Sequence, residues 1–185
     1  MSKFKFSVRD ICIIGIFVAL TAAMAQITIP IPIVPLTLQT LAVPLAGAVL
    51  GAKKGATAIA VYVLLGGLGV PVFAMFTGGP AIIVGATGGF LLAFPLYALI
   101  VGFAANKERH KRAWLAGGLV AGAVVLFALG GIVWPLLRGF APSVGVAFTL
   151  WVLPFLLADL IKIVMVFVIA PELQKVMKRV AYRAE

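Results

Sequence analysis

The chain has 185 residues, 64% of them hydrophobic and 11% charged, with a formal net charge of +10. A soluble globular domain carries about a quarter charged residues, so this composition excludes one and points to helices bathed in lipid. The basic excess does not mark a nucleic-acid groove either, because it is spread over alternate connections between the apolar segments in the positive-inside pattern.

At about 20 residues per crossing, the length accommodates six transmembrane helices and no soluble domain. Residues 1–185 are therefore expected to form a single all-α integral membrane domain, with spans near 9–28, 37–52, 55–75, 84–105, 113–134 and 149–171. Residues 1–10 are short and basic like a signal-peptide n-region, but no cleavage site appears before Gln26, so a retained first helix is expected. Cys12 is the lone cysteine, which leaves no disulfide and no cysteine-based metal cluster. It reads as a small apolar residue of that helix. After Asp10 the first helix has no ionisable residue, and Gly15, Ala19 and Ala23 recur at helix-packing spacing, a face suited to another membrane protein.

The run Thr28-Ile29-Pro30-Ile31-Pro32-Ile33-Val34-Pro35 cannot remain helical. It predicts an extended, stiff and apolar external loop. Thr37, Gln39 and Thr40 then fall in the outer turns of the second helix; Gln39 suits either a cap or interhelical hydrogen bond, or a ligand contact. Gly47, Gly51 and Gly55 form a small-residue run across the second and third helices. The next external connection, from Phe76-Thr77-Gly78-Gly79-Pro80 to Gly85-Ala86-Thr87-Gly88-Gly89, can present backbone groups where it lines a cavity. Thr87 with Gly88 serves there either as a helix start or as a backbone contact to a ligand. With the short loop 138–143, these connections could form a lid over an outward-facing pocket. Phe73, Phe76, Phe90, Trp134 and Trp151 fit an interfacial aromatic belt, with one or two available to wall that pocket.

Lys3, Lys5 and Arg9 precede the first helix, Lys53 and Lys54 follow the second, Lys107, Arg109, Lys111 and Arg112 follow the fourth, and Lys175, Lys178, Arg179 and Arg183 follow the sixth. The opposite connections hold only Arg138. Both termini are thus expected in the cytoplasm, with the basic side suited to anionic lipid. His110 lies in a basic loop without a partner motif and is not a catalytic candidate.

Within the apolar stretch 150–170 stand Asp159 and Lys162. A lone charge at the centre of a membrane helix costs roughly 2.5–3.5 kcal/mol, so these two need partners, water or a ligand. Their i, i+3 spacing puts them on one face, close enough to pair. At 1.5 Å per residue Asp159 lies roughly 15 Å below the outer end of its helix. The pair reads either as a structural ion pair fixing helix rotation or as a ligand anchor offering both acceptor and donors.

No GxxxxGKS or GxxxxGKT run provides for ATP hydrolysis, and no HExxH, GxSxG or Cys/His cluster provides for enzyme chemistry, so neither an enzyme nor a cofactor is expected. Internal repeats are not evident, and acids in the apolar segments are too few for ordinary ion-coupled transport.

The run Pro35-Leu36-Thr37-Leu38-Gln39-Thr40-Leu41-Ala42-Val43, continued by Leu45-Ala46-Gly47 and Leu50-Gly51, resembles the BioY family. These are the biotin-specific S components of energy-coupling-factor (ECF) vitamin transporters. The runs Leu68-Gly69-Val70-Pro71-Val72-Phe73-Ala74, Gly85-Ala86-Thr87-Gly88-Gly89-Phe90 and Asp159-Leu160-Ile161-Lys162 agree. Ala86, Phe90 and Ala158 depart from the proline, tyrosine and glycine usual in the family, and the phenylalanine removes one hydroxyl from the expected site.

The resemblance implies a six-helix S component of the prokaryotic cytoplasmic membrane that binds biotin under its first external loop. It would then dock through Gly15, Ala19 and Ala23 onto a transmembrane coupling protein served by two ATP-binding subunits. The implied substrate residues are Asp159, Lys162, Gln39, Thr37, Thr87, Gly88, Phe90 and Phe73. Asp159 and Lys162 would take the ureido ring, and the valerate carboxylate would point outward toward loop N–H groups, Gln39 or Thr87. In the reverse orientation Lys162 pairs with the carboxylate. The alternatives are a stand-alone secondary transporter for another small organic solute, marked by gradient-driven uptake without ATP, and a structural subunit without ligand.

Overall fold

In the computed structural model, which describes residues 7–31, 33–105 and 111–182, helix α1 (Val8–Gln26) starts on a reciprocal cap. Ser7 Oγ accepts from the Asp10 N–H while the Asp10 carboxylate accepts from the Ser7 N–H, which satisfies two of the donors a helix start leaves over. Among the residues discussed above, Lys3, Lys5, Pro32, Lys107, Arg109, His110 and Arg183 lie outside the described residues, as do the side chains of Lys111 and Lys178.

The proline-rich connection differs from a purely extended loop. It folds back on itself as a short antiparallel ladder of β1 (Thr28–Ile29) and β2 (Leu36–Thr37), with Thr28 opposite Thr37 and Ile29 opposite Leu36. Pro30 and Pro35 flank the ladder rather than interrupt it, as proline's missing donor requires.

Helices α2 (Gln39–Leu50) and α3 (Ala52–Gly67) are separated by Gly51 alone, whose φ of 81° is a conformation that favours glycine. The glycine run of the sequence is thus split by a sharp break: Gly47 on α2, Gly51 at the break and Gly55 on α3. A Cβ at Gly47 would overlap the Ala98 carbonyl, and one at Gly55 would overlap the backbone of Ala46 and Gly47, so these two glycines set the closest helix contacts in this corner. α3 stops at Gly67 rather than near 75, because Gly69 (φ 104°) and Pro71 turn the chain away.

A one-turn helix α4 (Pro80–Val84) precedes α5 (Gly88–Ala105), the central helix, which packs on α2, α3 and α6 (Lys111–Leu126). From α6 the chain continues through a π-helical segment, Phe127–Val133, into α7 (Trp134–Leu137). The return path is α8 (Val144–Ala147), a second π-helical segment, Phe148–Val152, and α9 (Leu153–Tyr182). Each π segment lies directly upstream of a proline, Pro135 or Pro154, whose missing N–H leaves a carbonyl one turn back without an α-helical partner.

Among the described residues four stretches are long and apolar enough to cross a membrane, namely Val8–Gln26, Gly88–Ala105, Arg112–Leu137 and Val144–Met177; Gln39–Leu50 is a shorter apolar helix. Tyr62, Tyr97, Phe73, Ile59 and Leu119 are the largest fully buried side chains, and they fill the space around α5.

Candidate ligand site

On α9 the i, i+3 spacing brings Asp159 and Lys162 together, with Nζ 2.7 Å from Oδ1 and each residue only 5% exposed. α2 lies across this face and supplies the remaining partners. The Lys162 ammonium also donates to Thr37 O at 2.7 Å and to Thr40 Oγ1 at 2.8 Å, so its three protons are all engaged. Thr40 in turn donates to Asp159 Oδ1 at 2.8 Å. The carboxylate is engaged on one side only. Oδ2 makes no hydrogen bond to a described residue, yet among the described residues no wholly buried side-chain polar atom lacks a partner. Oδ2 therefore opens onto the cavity that Asp159 lines.

Gln39 and Thr40 open α2 as expected, whereas Thr37 ends strand β2 and precedes the helix. Thr37 Oγ1 donates to Gln39 Oε1 at 2.8 Å, and Gln39 Nε2 donates to the Tyr62 hydroxyl. That hydroxyl donates onward to Val72 O at 3.0 Å. This relay ties the start of α2 to α3 and to the segment after it. Both readings of Gln39 meet here, since it bonds between helices and also faces the cavity.

The cavity has a volume of about 190 Å³. Its polar end is formed by Asp159, Lys162, Thr40, Thr37 and Gln39, and its walls by Phe73, Phe90, Phe94, Phe127 and Phe155. Phe90 stands between two of these rings, edge-on to Phe127 at 6.4 Å and tilted against Phe155 at 6.1 Å between centroids. Val34 and Pro35 border the cavity from the hairpin connection; Ala74, Met75 and Thr77 border it from the segment after α3. Thr87 borders it at the start of α5, and its hydroxyl makes no hydrogen bond to a described residue. Such a site joins a few directed polar groups to apolar walls, the usual composition of a small-molecule pocket. Among the described residues no three His, Cys, Asp or Glu side chains gather to hold a metal ion.

Seven of the eight substrate residues expected from the sequence thus line one cavity: Asp159, Lys162, Gln39, Thr37, Thr87, Phe90 and Phe73. Gly88 does not. It is buried against the Ile83 carbonyl and the Trp134 ring, where any Cβ would collide. Gly15, Ala19 and Ala23 lie together on an exposed face of α1, away from the cavity. The indole N–H groups of Trp134 and Trp151 donate to Gly85 O at 2.9 Å and Ala86 O at 3.4 Å, pinning the turn before α5.

Sequence reasoning passed over Tyr62, Phe94, Phe127 and Phe155 and left Thr40 unassigned. Phe94 and Phe155 were within reach, since each lies four residues from a predicted site residue, Phe90 and Asp159, and hence on the same helical face. Phe127 gave no such signal, because it opens a π segment whose phase differs from α-helix.

A sequence profile described as the BioY family matches residues 1–179. The "Probable biotin transporter BioY" of Pyrococcus horikoshii is 42% identical over 166 residues, covering 90% of this chain and 96% of that protein. The "Biotin transporter BioY" of Thermotoga maritima is 43% identical over 167 residues, with 90% and 96% covered. That of Rhodobacter capsulatus is 36% identical over 174 residues, covering 88% and 91%. Among solved structures, a crystal structure described as the S-component for biotin from an ECF-type ABC transporter superposes with a TM-score of 0.79, covering 91% of this chain and 92% of that one at 23% identity. At that identity the match speaks for the fold.

Proposed function

The chain belongs to the BioY family of multi-pass membrane proteins, and from that premise we propose that it captures biotin as the S component of an ECF-type transporter. In this reading residues 1–185 form one domain and α2 and α3 complete six crossings. Both termini face the cytoplasm, and the basic connections support that orientation. A transmembrane coupling protein and two ATP-binding subunits supply the energy, and the exposed Gly15, Ala19 and Ala23 face of α1 is the docking surface.

One observation carries the ligand orientation: Asp159 Oδ2 is open to the cavity while every proton of Lys162 is already engaged. A pocket floor with a free acceptor and no free cation selects a head group that donates. Biotin's ureido ring offers two N–H groups, and one of them meets Oδ2. The phenylalanine walls take the thiolane ring and the methylene chain, and the carboxylate points outward toward Thr87, whose hydroxyl bonds to no described residue. The reverse orientation would require the ligand carboxylate to approach Asp159 and to displace Thr37 O or Thr40 from Lys162.

Calorimetry on the purified chain tests this reading. Biotin should bind one to one, biotin amides nearly as well, and analogues altered at the ureido nitrogens at least tenfold more weakly. Loss of binding by the amides with retention of the ureido analogues would reverse the orientation. Failure of a folded chain to bind biotin would remove it as the ligand.

A further inference from the structure

We infer that Gln26, which is not itself part of the cavity wall, is a positioning residue for that wall: its carboxamide holds a strained segment in the shape that completes the pocket. The inference rests on the capture reading above.

The segment is a tight loop closed at its base, where Phe73 N–H donates to Thr77 O at 3.0 Å. Phe73, Ala74, Met75 and Thr77 all face the cavity. At its tip Met75 (φ 58°) and Phe76 (φ 55°) are consecutive left-handed residues, and neither is glycine. Side chains make that region unfavourable, and two such residues in succession persist only where the surroundings enforce them.

Packing does not enforce Phe76, whose side chain is 72% exposed. Gln26, the last residue of α1, does. Its Oε1 accepts the Phe76 N–H at 2.9 Å, and its Nε2 donates to Phe73 O at 3.1 Å and to Ala22 O at 3.1 Å, with Val72 O at 3.5 Å. One end of the side chain must accept and the other must donate, which only a carboxamide of this length does here. Tyr62 secures the base of the same loop through Val72 O and an edge-on contact with Phe73 at 5.6 Å. Gln26 secures the tip, and through it the end of α1 is hydrogen-bonded to the binding wall.

The test uses the full chain in detergent. Gln26→Met preserves length and volume but neither accepts nor donates in this geometry. It should weaken biotin binding at least tenfold, chiefly through faster dissociation, and should speed amide exchange across 70–79 in the absence of ligand. Phe76→Gly removes the left-handed penalty, so in the Gln26→Met background it should recover at least threefold of the lost affinity. Affinity within twofold of the parent, unchanged exchange, or no recovery by glycine would each overturn the positioning role. Should Gln26→Met fail to fold, Phe76→Gly alone decides: it should bind at least as tightly as the parent, and weaker binding overturns the inference. Failure of the parent to bind biotin would count against the capture reading, while the exchange arm still judges the hold of Gln26 on the loop.

Discussion

Thr40 Oγ1 accepts from Lys162 Nζ at 2.8 Å across 122 residues of chain and donates its own hydrogen bond to Asp159 Oδ1. One hydroxyl therefore fastens α2 to α9 and orients the carboxylate so that its other oxygen faces the cavity. Thr40→Val keeps the shape and removes both bonds. It should lower stability by about 1–3 kcal/mol, read as a lower thermal unfolding midpoint. Biotin affinity should fall about tenfold as the carboxylate loses its orientation. Unchanged affinity would place the orientation of Asp159 in α9 itself.

Removing either charge of the Asp159–Lys162 pair strands the other in a 5% exposed site. Lys162→Met should destabilise the chain by about 3–5 kcal/mol. The double variant Asp159→Asn with Lys162→Met carries no unpaired charge and should recover much of that stability while still failing to bind biotin. Unfolding and calorimetry on the same preparations separate the two effects. Binding by the double variant would make the pair a structural lock.

Gly47 admits no side chain because the Ala98 carbonyl occupies the Cβ position. Gly47→Ala should push α2 away from α5 and cost about 1–3 kcal/mol as overpacking. An equal unfolding midpoint in the variant would show that the helices separate without strain.

The outward face of α1 bears on coupling rather than capture. Ala19→Leu adds bulk where the side chain is exposed and far from the cavity. Biotin affinity should stay within about twofold of the parent, while ATP-dependent uptake with the coupling proteins should fall by roughly tenfold, since close helix approach depends on small residues. Unimpaired uptake would move the docking surface elsewhere.

The polar end of the site was legible in the sequence because charge within an apolar run is costly, and Asp159 and Lys162 stood out for that reason alone. The helix count could be proposed from length, but α3 ended early at Gly69 and Pro71, and the proline-rich connection closed into a ladder that alternation over two residues cannot announce. The phenylalanine walls were harder to read. In a membrane protein an apolar ring facing lipid and one facing a cavity give the same composition, so Phe127 looked like any lipid-facing residue. Gly88 was placed beside the cavity-lining Thr87, yet one residue along a helix turns by about 100°, which carried it into the packing against Ile83.

The π segments before Pro135 and Pro154 have a bearing on how this chain is aligned with its kin. Each accommodates its proline by widening the helix to more residues per turn, so it behaves like an insertion hidden inside a helix. Deleting one residue from Phe127–Val133 would let an ordinary helix form there while everything beyond it kept its rotation, because the wide turn absorbs the extra residue. Trp134 would then still face the Gly85 carbonyl, and the turn that starts the central helix would keep its pin. A one-residue gap in these stretches would therefore mark a relative that builds its pocket on the same rotation of the same helices, whereas the same gap in an ordinary turn would rotate everything beyond it by about 100°.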